Sequence, residues 1–495
     1  MKIPNMILFS SFVFLLSCNS SKPVIKPQKF EFLNEIQSTI VFNPRTGTYD
    51  TVYVRNNIDT VIWKNPPLKS TAAPIGAKTT PMTKIPAKSP DTAKGNATKI
   101  KTKTETSPPA YRGVVAVPTN SKIKSTYQLT YLLPFFSDKF SNQDKNFYEK
   151  SEWALNFYAG AKLALDSLKS QNININVNVL DTKANESQLE NLLGETAVQN
   201  ADVIIGTETN ANVSMAAEFA KKNGKILISP YNPAGEIVTS NKQFVQINPS
   251  LRTNCEAIMR DIRKNYSAEQ IVLICRNKIN EREAMQYLQM ENQRLNESKS
   301  SLLKEYILEE KGGIASFDPK LAINNESMVF VVPIWGQNSE TFIYSLLTKI
   351  NNAKGKKKIV VYGLPQWSNF QVNVFDVFEP LQVHITQPVY VDKTSVNARA
   401  FSSLFFKTYA AAPNEEAYMG YDITLYVGNM LYNYGTKFNE VLDQVPYEGM
   451  YSKLHFEKEK SFNGAYTQED DDFDRIANKY VNILKFQNGC FLPVE

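Results

Sequence analysis

The chain has 495 residues, of which 42% are hydrophobic and 21% are charged, and its formal net charge at pH 7 is +6. Only two histidines are present, His384 and His455, so histidine-based catalysis and histidine-rich metal sites have little support. The sequence shows no nucleophile beside a base, no paired acids at a recognisable motif and no cofactor fingerprint. We therefore expect a protein that is not an enzyme and that uses no cofactor and no metal, with a carboxylate mechanism as the residual enzymatic alternative.

The first 17 residues predict a lipoprotein signal peptide. Lys2 precedes an apolar run that is too short to span a bilayer as a permanent helix, and the run ends in LLSC (residues 15–18). LLSC resembles a bacterial lipobox, in which the cysteine receives the lipid. A mature chain that begins at Cys18, with residues 18–29 as a lipidated tether, would face the periplasm from the inner or the outer membrane. The alternative is an ordinary cleaved signal that happens to contain a cysteine.

Three cysteines remain after Cys18, namely Cys255, Cys275 and Cys490. An odd number in an oxidising compartment allows at most one disulfide and leaves at least one free thiol. The spacing does not say which pair would form.

A short segment, residues 30–64, contains two related runs, YDTVYV (49–54) and IDTVIW (58–63). Each run is rich in β-branched and aromatic residues, and the asparagines between them supply turn chemistry. We predict a β-hairpin from these two runs. Because a lone hairpin is only marginally stable in water, it must pack on something, pair with another chain or stay loosely ordered.

The next segment, residues 65–125, predicts a disordered linker. It is rich in Pro, Lys and Thr and has few aromatic residues to bury. Its ten lysines and Arg112 exceed Asp91 and Glu105 by nine charges, so the rest of the chain carries about −3. Such a basic tether could lie on anionic lipid or wall polymer, and a solvated spacer without a specific partner is the alternative that we favour. Neither interpretation involves nucleic acid.

The body of the chain, residues 126–495, alternates apolar runs of strand length with amphipathic segments of helix length. Examples of such strands are NININVNVL (172–180), QIVLICR (270–276) and KKIVVYGLP (357–365). This alternation is typical of parallel sheets with crossover helices. Because about 370 residues is long for one such sheet, we predict an α/β fold of two doubly wound, Rossmann-like lobes joined by a hinge.

Several motifs of the body occur in the order found in one known family. VIIGTETN (203–210) and KILISPYNPAGEI (225–237) resemble the first lobe of type I periplasmic binding proteins, the leucine/isoleucine/valine-binding and receptor ligand-binding-region family. LTYLLPFF (129–136) is similar to the opening strand of that family, FYAGAKLALD (157–166) to its first helix, and GYDITLYVGNML (420–431) to the helix that returns to the first lobe.

The resemblance implies where the two lobes lie. The first lobe would comprise about 126–249 and 391–450, and the second lobe about 250–390 and 451–495. The lipobox, the linker and a C-terminal hairpin around FNGAYTQ (462–468) together resemble lipoproteins of this fold from Bacteroidetes.

The polar loop that follows VIIG predicts the first-lobe rim of a ligand cleft between the lobes. In open α/β sheets, ligands gather beyond the carboxyl ends of the strands, where helix N-termini offer free N–H groups. Helix capping alone is an equal alternative for the Thr and Asn residues of this loop. A phosphate loop is disfavoured, because there is no glycine repeat and Glu208 would repel the ligand. The first-lobe candidates for ligand contact are Ser137, Thr207, Thr209, Asn210, Tyr231 and Asn232.

The chain departs from the family pattern at the second loop of this rim. Where amino-acid binders have a Ser-Ala-Thr turn, this chain has Tyr231, Asn232 and Pro233, and Pro233 has neither a hydroxyl nor an N–H with which to hold an α-carboxylate. In the second lobe, an aromatic ring beside an amide at two strand ends suits a pocket wall, and buried tryptophan packing is the competing explanation. The second-lobe candidates are Arg276, Asn277, Trp335, Gln337, Gln366 and Trp367.

Two functions follow from the resemblance. The first is a membrane-anchored lipoprotein that binds an amino acid, peptide or wall fragment between its lobes, as a transport-associated or sensing protein with a possible permease partner. The second is an envelope interaction protein that regulates peptidoglycan synthesis, since the body also resembles the binding-protein-like domain of lipoprotein activators of peptidoglycan synthases. The acidic run QEDDDFDR (468–475) lacks EF-hand spacing, so we expect a solvated loop there.

Overall fold

The computed structural model describes residues 36–43, 48–55, 115–140, 148–295, 302–336, 339–370, 375–460 and 473–494. The N-terminal part contains two antiparallel strands, β1 (Ile36–Asn43) and β2 (Thr48–Arg55), with Thr39 opposite Val52. The predicted run 49–54 is therefore a strand, and its partner is an upstream segment that we did not predict. The other predicted partner, 58–63, lies outside the described residues, as does the linker up to residue 114.

The body contains a long series of strands and helices. In chain order these are β3 (Tyr127–Leu133), α1 (Glu152–Ser170), β4 (Ile175–Asp181), α2 (Glu186–Leu193), α3 (Thr196–Gln199), β5 (Val203–Gly206), α4 (Asn210–Asn223), β6 (Ile226–Ser229), β7 (Phe244–Gln246), α5 (Leu251–Ile262), β8 (Ile271–Arg276), α6 (Ile279–Leu295), β9 (Lys304–Leu308), α7 (Gly313–Ser316), α8 (Pro319–Ala322), β10 (Ser327–Val331), α9 (Glu340–Ala353), β11 (Lys358–Gly363), α10 (Phe375–Phe378), β12 (Val383–Gln387), α11 (Val396–Tyr409), α12 (Glu415–Tyr434), β13 (Tyr447–Glu448), β14 (Lys453–Leu454), β15 (Phe456–Glu459), β16 (Arg475–Asn478), β17 (Asn482–Gln487) and β18 (Cys490–Pro493).

These elements build two seven-stranded sheets, as the sequence predicts for two α/β lobes. The strand order is β15-β16-β7-β6-β5-β3-β4 in the first sheet and β18-β17-β12-β11-β10-β8-β9 in the second. The central strands are parallel, and antiparallel pairs occur at one edge of each sheet. The parallel strands form from continuous apolar runs because helices cover both of their faces. Every residue of β5 and β8 is buried accordingly.

The last segment of the chain divides between the two lobes, which corrects the predicted boundary. We expected residues 451–495 in the second lobe, but β15 and β16 join the edge of the first sheet and only β17 and β18 join the second. The apolar residues of β15 and β16 pack into the first-lobe core, where Phe456 is 3% and Ile476 is 1% exposed. The FNGAYTQ segment lies outside the described residues, between these two paired strands.

Close packing of α1 on α12 closes the first-lobe core on one side. A Cβ at Gly160 would overlap the carbonyl oxygen of Ala417, and a Cβ at Gly420 would overlap that of Phe157. The two helices therefore approach at a distance that only glycine permits at these two positions. Tyr131, in the neighbouring strand β3, shares a hydrogen bond of 2.7 Å with the hydroxyl of Thr424 on α12.

The chain passes between the two sheets three times, after β7, after β12 and after β16. A buried ion network lies at the third passage. The Nζ atom of Lys479 lies 2.9 Å from Glu459 of β15 and 3.0 Å from Glu256 of α5, so one ammonium group joins the two lobes. The network continues to Arg475 in the first lobe and to Arg252 in the second, each 2.8 Å from its carboxylate partner.

The electrostatics of this network follow from burial and opposite charge. Burial by itself lowers the pKa of Lys479, but the carboxylates of Glu459 and Glu256 outweigh it and raise that pKa. Burial likewise raises the pKa of Glu459, and the positive charges of Lys479 and Arg475 outweigh it and lower that pKa. Both groups are therefore charged in the folded state at neutral pH.

All three cysteines of the body are free thiols. Cys255 and Cys275 are 0% exposed in the core of the second lobe, and burial raises the pKa of Cys275 to about 12. Cys490 is exposed on β18. The two buried thiols therefore act as small apolar core residues.

Candidate functional site

The first-lobe loop begins with a tight turn off β5. Gly206 has φ 142°, and a Cβ there would overlap the carbonyl oxygen of Leu132 on the neighbouring strand β3. Thr207 follows with φ 63°, its N–H donates to that same Leu132 carbonyl at 3.0 Å, and its side chain is fully buried. The turn thus aims the following residues over the carboxyl edge of the first sheet.

Thr209 caps the helix that follows the loop. Its hydroxyl oxygen accepts a hydrogen bond of 3.2 Å from the N–H of Asn212, in the first turn of α4. Helix capping, which was one of two predicted roles for this threonine, is therefore present. Asn210 is exposed beside it as the first residue of α4.

Asn232 joins the two loops of the first-lobe rim. Its side-chain amide nitrogen donates to the carbonyl oxygen of Glu208 at 3.0 Å and to Oδ1 of Asn210 at 2.8 Å, while its own Oδ1 accepts from Ala234 N–H at 2.7 Å. All of its side-chain polar atoms are engaged, and only 5% of the residue is exposed. Asn232 therefore positions the rim and has no free polar atom to offer a ligand.

An aromatic pair flanks this rim. Tyr231 is 47% exposed, and its ring stacks on Trp153 of α1 with centroids 5.1 Å apart and an angle of 19° between the rings. Trp153 is not among the residues predicted from the sequence, because there it is one aromatic residue within a helical stripe. The pair presents a flat apolar surface at the carboxyl edge of the sheet.

Ser137 lies in the loop after β3 and is bound to Asp181, the last residue of β4. The carboxylate of Asp181 accepts N–H bonds from Phe135, Phe136 and Ser137, at 2.7 to 3.1 Å. Burial raises the pKa of Asp181, but these N–H groups and that of Lys183 outweigh it and lower the pKa. Ser137 is exposed, and Asp181 is an anionic group of the rim that sequence analysis missed.

Four side chains of the rim have buried polar atoms that accept or donate no hydrogen bond to another residue. Their atoms are Thr207 Oγ1, Glu208 Oε1 and Oε2, Asn212 Nδ2 and Oδ1, and Ser229 Oγ. Thr207, Asn212 and Ser229 are each 0% exposed. We name these four residues the rim cluster. From the sequence, the only prediction for Glu208 was that its charge would repel a phosphate ligand.

The candidate Arg276 of the second lobe is committed to internal contacts. It is 4% exposed and pairs with the buried carboxylate of Glu281, and its guanidinium also donates to Ser339 Oγ at 2.8 Å and to the carbonyl oxygen of Trp335 at 3.2 Å. These contacts hold the loops after β8 and β10 together. The guanidinium therefore has a structural role, and the prediction that it faces a ligand is not supported by these contacts.

Trp367 is a core residue, as the competing explanation held. It is 0% exposed, its Nε1 donates to the carbonyl oxygen of Ile334 at 2.9 Å, and its ring stacks on Phe370 and Phe378. A Cβ at Gly363 would overlap this ring, so the indole occupies the space beside β11. The predicted role of Trp367 in a pocket wall is wrong, because the ring points into the hydrophobic core.

The remaining second-lobe candidates differ in exposure. Asn277 and Gln366 are exposed, Trp335 is partly buried, and Gln337 lies outside the described residues. Asn277 donates to Glu309 Oε1 at 3.3 Å. Among the described residues, no recorded hydrogen bond, ion pair or ring contact joins the first-lobe candidates to the second-lobe candidates. The structure thus joins Asn232 to Asn210 within the first lobe, binds Ser137 to Asp181 instead, and leaves the first-lobe and second-lobe sets separate.

A small pocket lies instead at the passages between the lobes. It contains about 200 Å³ of empty space, and this volume includes open solvent. The lining residues are Pro230, Ile247, Asn248, Pro249, Pro388, Tyr451 and Ser452.

His384 stacks on Tyr362 and its Nδ1 lies 2.7 Å from the carbonyl oxygen of Gln382, and burial lowers its pKa. Within the described ranges, no group of three or more His, Cys, Asp or Glu could hold a metal ion. In the same ranges, no helix is both long and apolar enough to cross a membrane.

Two α/β lobes with three chain passages define the type I periplasmic binding protein fold, and solved structures share it. A putative branched-chain amino acid ABC transporter protein from Rhodospirillum rubrum is similar over 74% of this chain and 100% of its own, with 13% identity and a TM-score of 0.54. An ABC transporter substrate-binding protein from Desulfitobacterium hafniense is similar over the same shares, with 11% identity and a TM-score of 0.50. The predicted fold is confirmed.

Part of the sequence also matches a family model. Residues 157–302 match the family described as the receptor family ligand binding region, which confirms the predicted family resemblance over that part of the chain. The C-terminal domain of LpoA from Haemophilus influenzae, a regulator of PBP1A, is similar over 74% of this chain and 100% of that domain, with 12% identity and a TM-score of 0.48. No curated protein matches the sequence.

Proposed function

We propose that this protein is an extracytoplasmic lipoprotein that binds a small ligand, an amino acid, peptide or wall fragment, between its two lobes. A transport-associated or sensing role would follow, with a permease or another envelope protein as the partner. The proposal combines the lipobox at Cys18 with a fold whose solved relatives include substrate-binding proteins.

The rim at the carboxyl edge of the first sheet carries this proposal. It combines the N-terminus of α4, the exposed Tyr231 ring on Trp153 and the buried polar atoms of the rim cluster. Ligands of open α/β sheets bind at this edge. A flat aromatic surface beside a few fixed polar groups is the usual composition of a small-molecule site.

Thermal-shift measurements on the full mature chain test ligand binding. We expect at least one amino acid, short peptide or wall fragment to raise the melting temperature, since a ligand that binds only the folded state stabilises it. Tyr231→Ala should abolish that increase, whereas Tyr432→Ala, at an exposed tyrosine of α12, should preserve it. The absence of any stabilising compound would contradict the proposal.

An envelope interaction protein is the second candidate, and one observation favours it. The second-lobe candidates Arg276 and Trp367 are held by internal contacts, and Lys479 ties the lobes together through buried ion pairs. A cleft with few free second-lobe groups suits a surface that contacts protein. Affinity capture from envelope extracts with the full mature chain tests this candidate, and recovery of no peptidoglycan-synthesis protein would reject it.

Lipidation of Cys18 is a separate element of the proposal. We expect the chain to incorporate labelled palmitate and to fractionate with membranes. Cys18→Ser should lose both properties, while Cys490→Ser, at an exposed thiol of the body, should keep them. Equal labelling of the wild type and of Cys18→Ser would show that the lipid is not on this residue.

A further inference from the structure

The rim cluster is compact because its residues follow two adjacent strands. Ile205 of β5 is paired with Ile228 of β6, so Ser229 follows one of two neighbouring positions directly and Thr207 follows the other by two residues, after Gly206. Asn212 belongs to the first turn of the helix that begins after the same loop. The six buried atoms without partners therefore lie at one end of one pair of strands.

Such a concentration of unpartnered atoms needs a physical explanation. In folded proteins, about 90% or more of buried polar groups have a hydrogen-bond partner, and a buried group without one destabilises the folded state. Three of the four residues are fully buried, so bulk solvent does not supply the partners. A hydrogen-bonding occupant of this site would satisfy several atoms together.

The atoms of the cluster determine the chemistry of that occupant. The carboxylate of Glu208, the hydroxyls of Thr207 and Ser229 and the amide oxygen of Asn212 can all accept hydrogen bonds, and Glu208 carries the only charge of the four. Asp181 adds a second negative charge nearby. The cluster is therefore complementary to a cation with several N–H donors, and it would repel a carboxylate or a phosphate.

The titration of Glu208 agrees with this electrostatic environment. Burial raises the pKa of its carboxyl group and the charge of Asp181 acts in the same direction, while its own backbone N–H opposes them, and the resulting pKa is about 7. Among the residues that the structure describes, no lysine, arginine or histidine contributes to this shift of the Glu208 pKa. A positive partner would therefore lower the pKa.

We propose that the rim cluster binds the protonated primary amine of a small ligand through Glu208, Thr207, Asn212 and Ser229. An ammonium group has three N–H donors and is small enough for a site closed to solvent. The rest of the ligand would extend past the exposed Asn210 toward the Tyr231 ring. An amine site would define the ligand class for the proposed function. It depends on the proposed function only for where the rest of the ligand lies.

An NMR titration of the full mature chain tests the amine site directly, with methylammonium as the probe. The ¹³C signal of the Glu208 carboxyl group, assigned by its loss in Glu208→Gln, reports the pKa with and without the probe. We expect methylammonium to lower this pKa by about one pH unit or more, which is a ten-fold change in the proton dissociation constant. Tetramethylammonium, which has the charge but no N–H donor, should leave it within about 0.2 of a pH unit at equal concentration.

Two variants test whether the effect of methylammonium on the Glu208 pKa depends on the rim cluster. Ser229→Ala removes one acceptor with little change in volume and should weaken the methylammonium effect several-fold. Glu218→Gln removes a carboxylate from the exposed face of α4 and should leave the effect unchanged. An unchanged pKa of Glu208 in methylammonium, or an equal shift in both cations, would overturn the proposal, because ordered water or simple ionic screening would then account for the cluster.

The result of the methylammonium titration can be distinguished from the result of the thermal-shift screen. If an amine-free compound stabilises the protein in the thermal-shift screen while methylammonium leaves Glu208 unaffected, the amine site is wrong and ligand binding stands. If methylammonium shifts the pKa and no compound of the screen stabilises the protein, the amine site stands and binding between the lobes fails. Comparison of leucinamide with 4-methylpentanoate then measures the preference of the intact site for an amine over a carboxylate.

Discussion

At the scale of single residues, burial decides the role of each polar side chain in the first-lobe rim. Thr209 and Asn232 have similar hydrogen-bonding chemistry to Thr207 and Asn212, but the first pair is satisfied within the rim and the second pair is not. The three-dimensional contacts therefore separate rim side chains whose polar atoms are satisfied from those whose polar atoms are not, and residue type alone does not make this distinction.

Glu208 provides a test of the energetic consequence of that burial. Its pKa of about 7 lies above the ordinary value of 4.5, so between pH 4.5 and 7 the folded state holds a proton that the unfolded state has released. Its contribution to stability is therefore most favourable below pH 4.5 and declines as the pH rises through 7. Glu208→Gln should equal the wild type near pH 4 and exceed it by about 3 kcal/mol at pH 8 in urea unfolding.

The control for this prediction is Glu218→Gln, on the same helix and exposed to solvent. It should change the unfolding free energy by less than about 0.5 kcal/mol at either pH. A difference between Glu208→Gln and the wild type that does not change with pH would show that the buried carboxyl is not the cause.

Trp367 gives a second prediction at this scale, since its predicted pocket role and its observed core position have different consequences. Trp367→Ala should lower the unfolding free energy by about 3 to 5 kcal/mol, because it leaves a cavity against Phe370 and Phe378. Gln366→Ala, at the exposed neighbour, should stay within about 0.5 kcal/mol of the wild type. Unchanged stability of Trp367→Ala by denaturant unfolding would disprove the core position.

At the scale of elements, the contact between α1 and α12 is the feature most sensitive to a single methyl group. Gly160 and Gly420 each face a backbone carbonyl of the opposite helix, which cannot move as a flexible side chain could. Both glycines lie inside long helices, where glycine costs about 1 kcal/mol relative to alanine. The cost of glycine is offset by the close helix packing that it allows.

We therefore expect Gly160→Ala to destabilise the protein although alanine is the better helix former. The overlap with Ala417 forces the helices apart, and overpacking of this kind costs about 1 to 3 kcal/mol. Gly194→Ala, at the exposed end of α2, serves as the matched control and should be neutral within about 0.5 kcal/mol. Differential scanning calorimetry of both variants measures the difference, and a Gly160→Ala protein as stable as the control would refute this packing.

At the scale of the whole molecule, the Lys479 network determines how the lobes are coupled. One ammonium group is shared by a carboxylate of each lobe, and its side chain is 9% exposed. Removal of one member of a buried ion pair is costly, because the partner charge stays buried without compensation. Rotation of one lobe against the other would separate Lys479 from Glu256 or Glu459 and leave that carboxylate with only the arginine of its own lobe.

Lys479→Met should consequently lower the unfolding free energy by about 3 to 5 kcal/mol and weaken the coupling between the lobes. Calorimetry should show one unfolding transition for the wild type and two for the variant. Lys453→Met, which removes a lysine from an exposed pair with Glu448, should cost at most about 1 kcal/mol and keep a single transition. Two transitions already present in the wild type would contradict coupling through Lys479.

The amino-acid sequence predicted most of the architecture, because parallel strands and amphipathic helices leave local patterns. The run VIIG and residues 271–276 of the run QIVLICR became fully buried strands, and the Thr209 cap follows from one residue type before a helix. The predicted boundary of the second lobe was wrong, since nothing in the local sequence of β15 and β16 indicates which sheet they join. The sheet that an edge strand joins depends on packing between segments that are far apart in the chain.

By itself, the sequence determined two α/β lobes and the approximate position of the loops at the carboxyl edge of the first sheet, because both depend on residues close together in the chain. Only the tertiary structure decided that Trp367 and Arg276 turn inward, that Lys479 joins Glu256 to Glu459, and that Glu208 is buried beside Thr207 and Ser229. The physical reason is that burial and charge pairing depend on segments separated by tens to hundreds of residues, which no local pattern records.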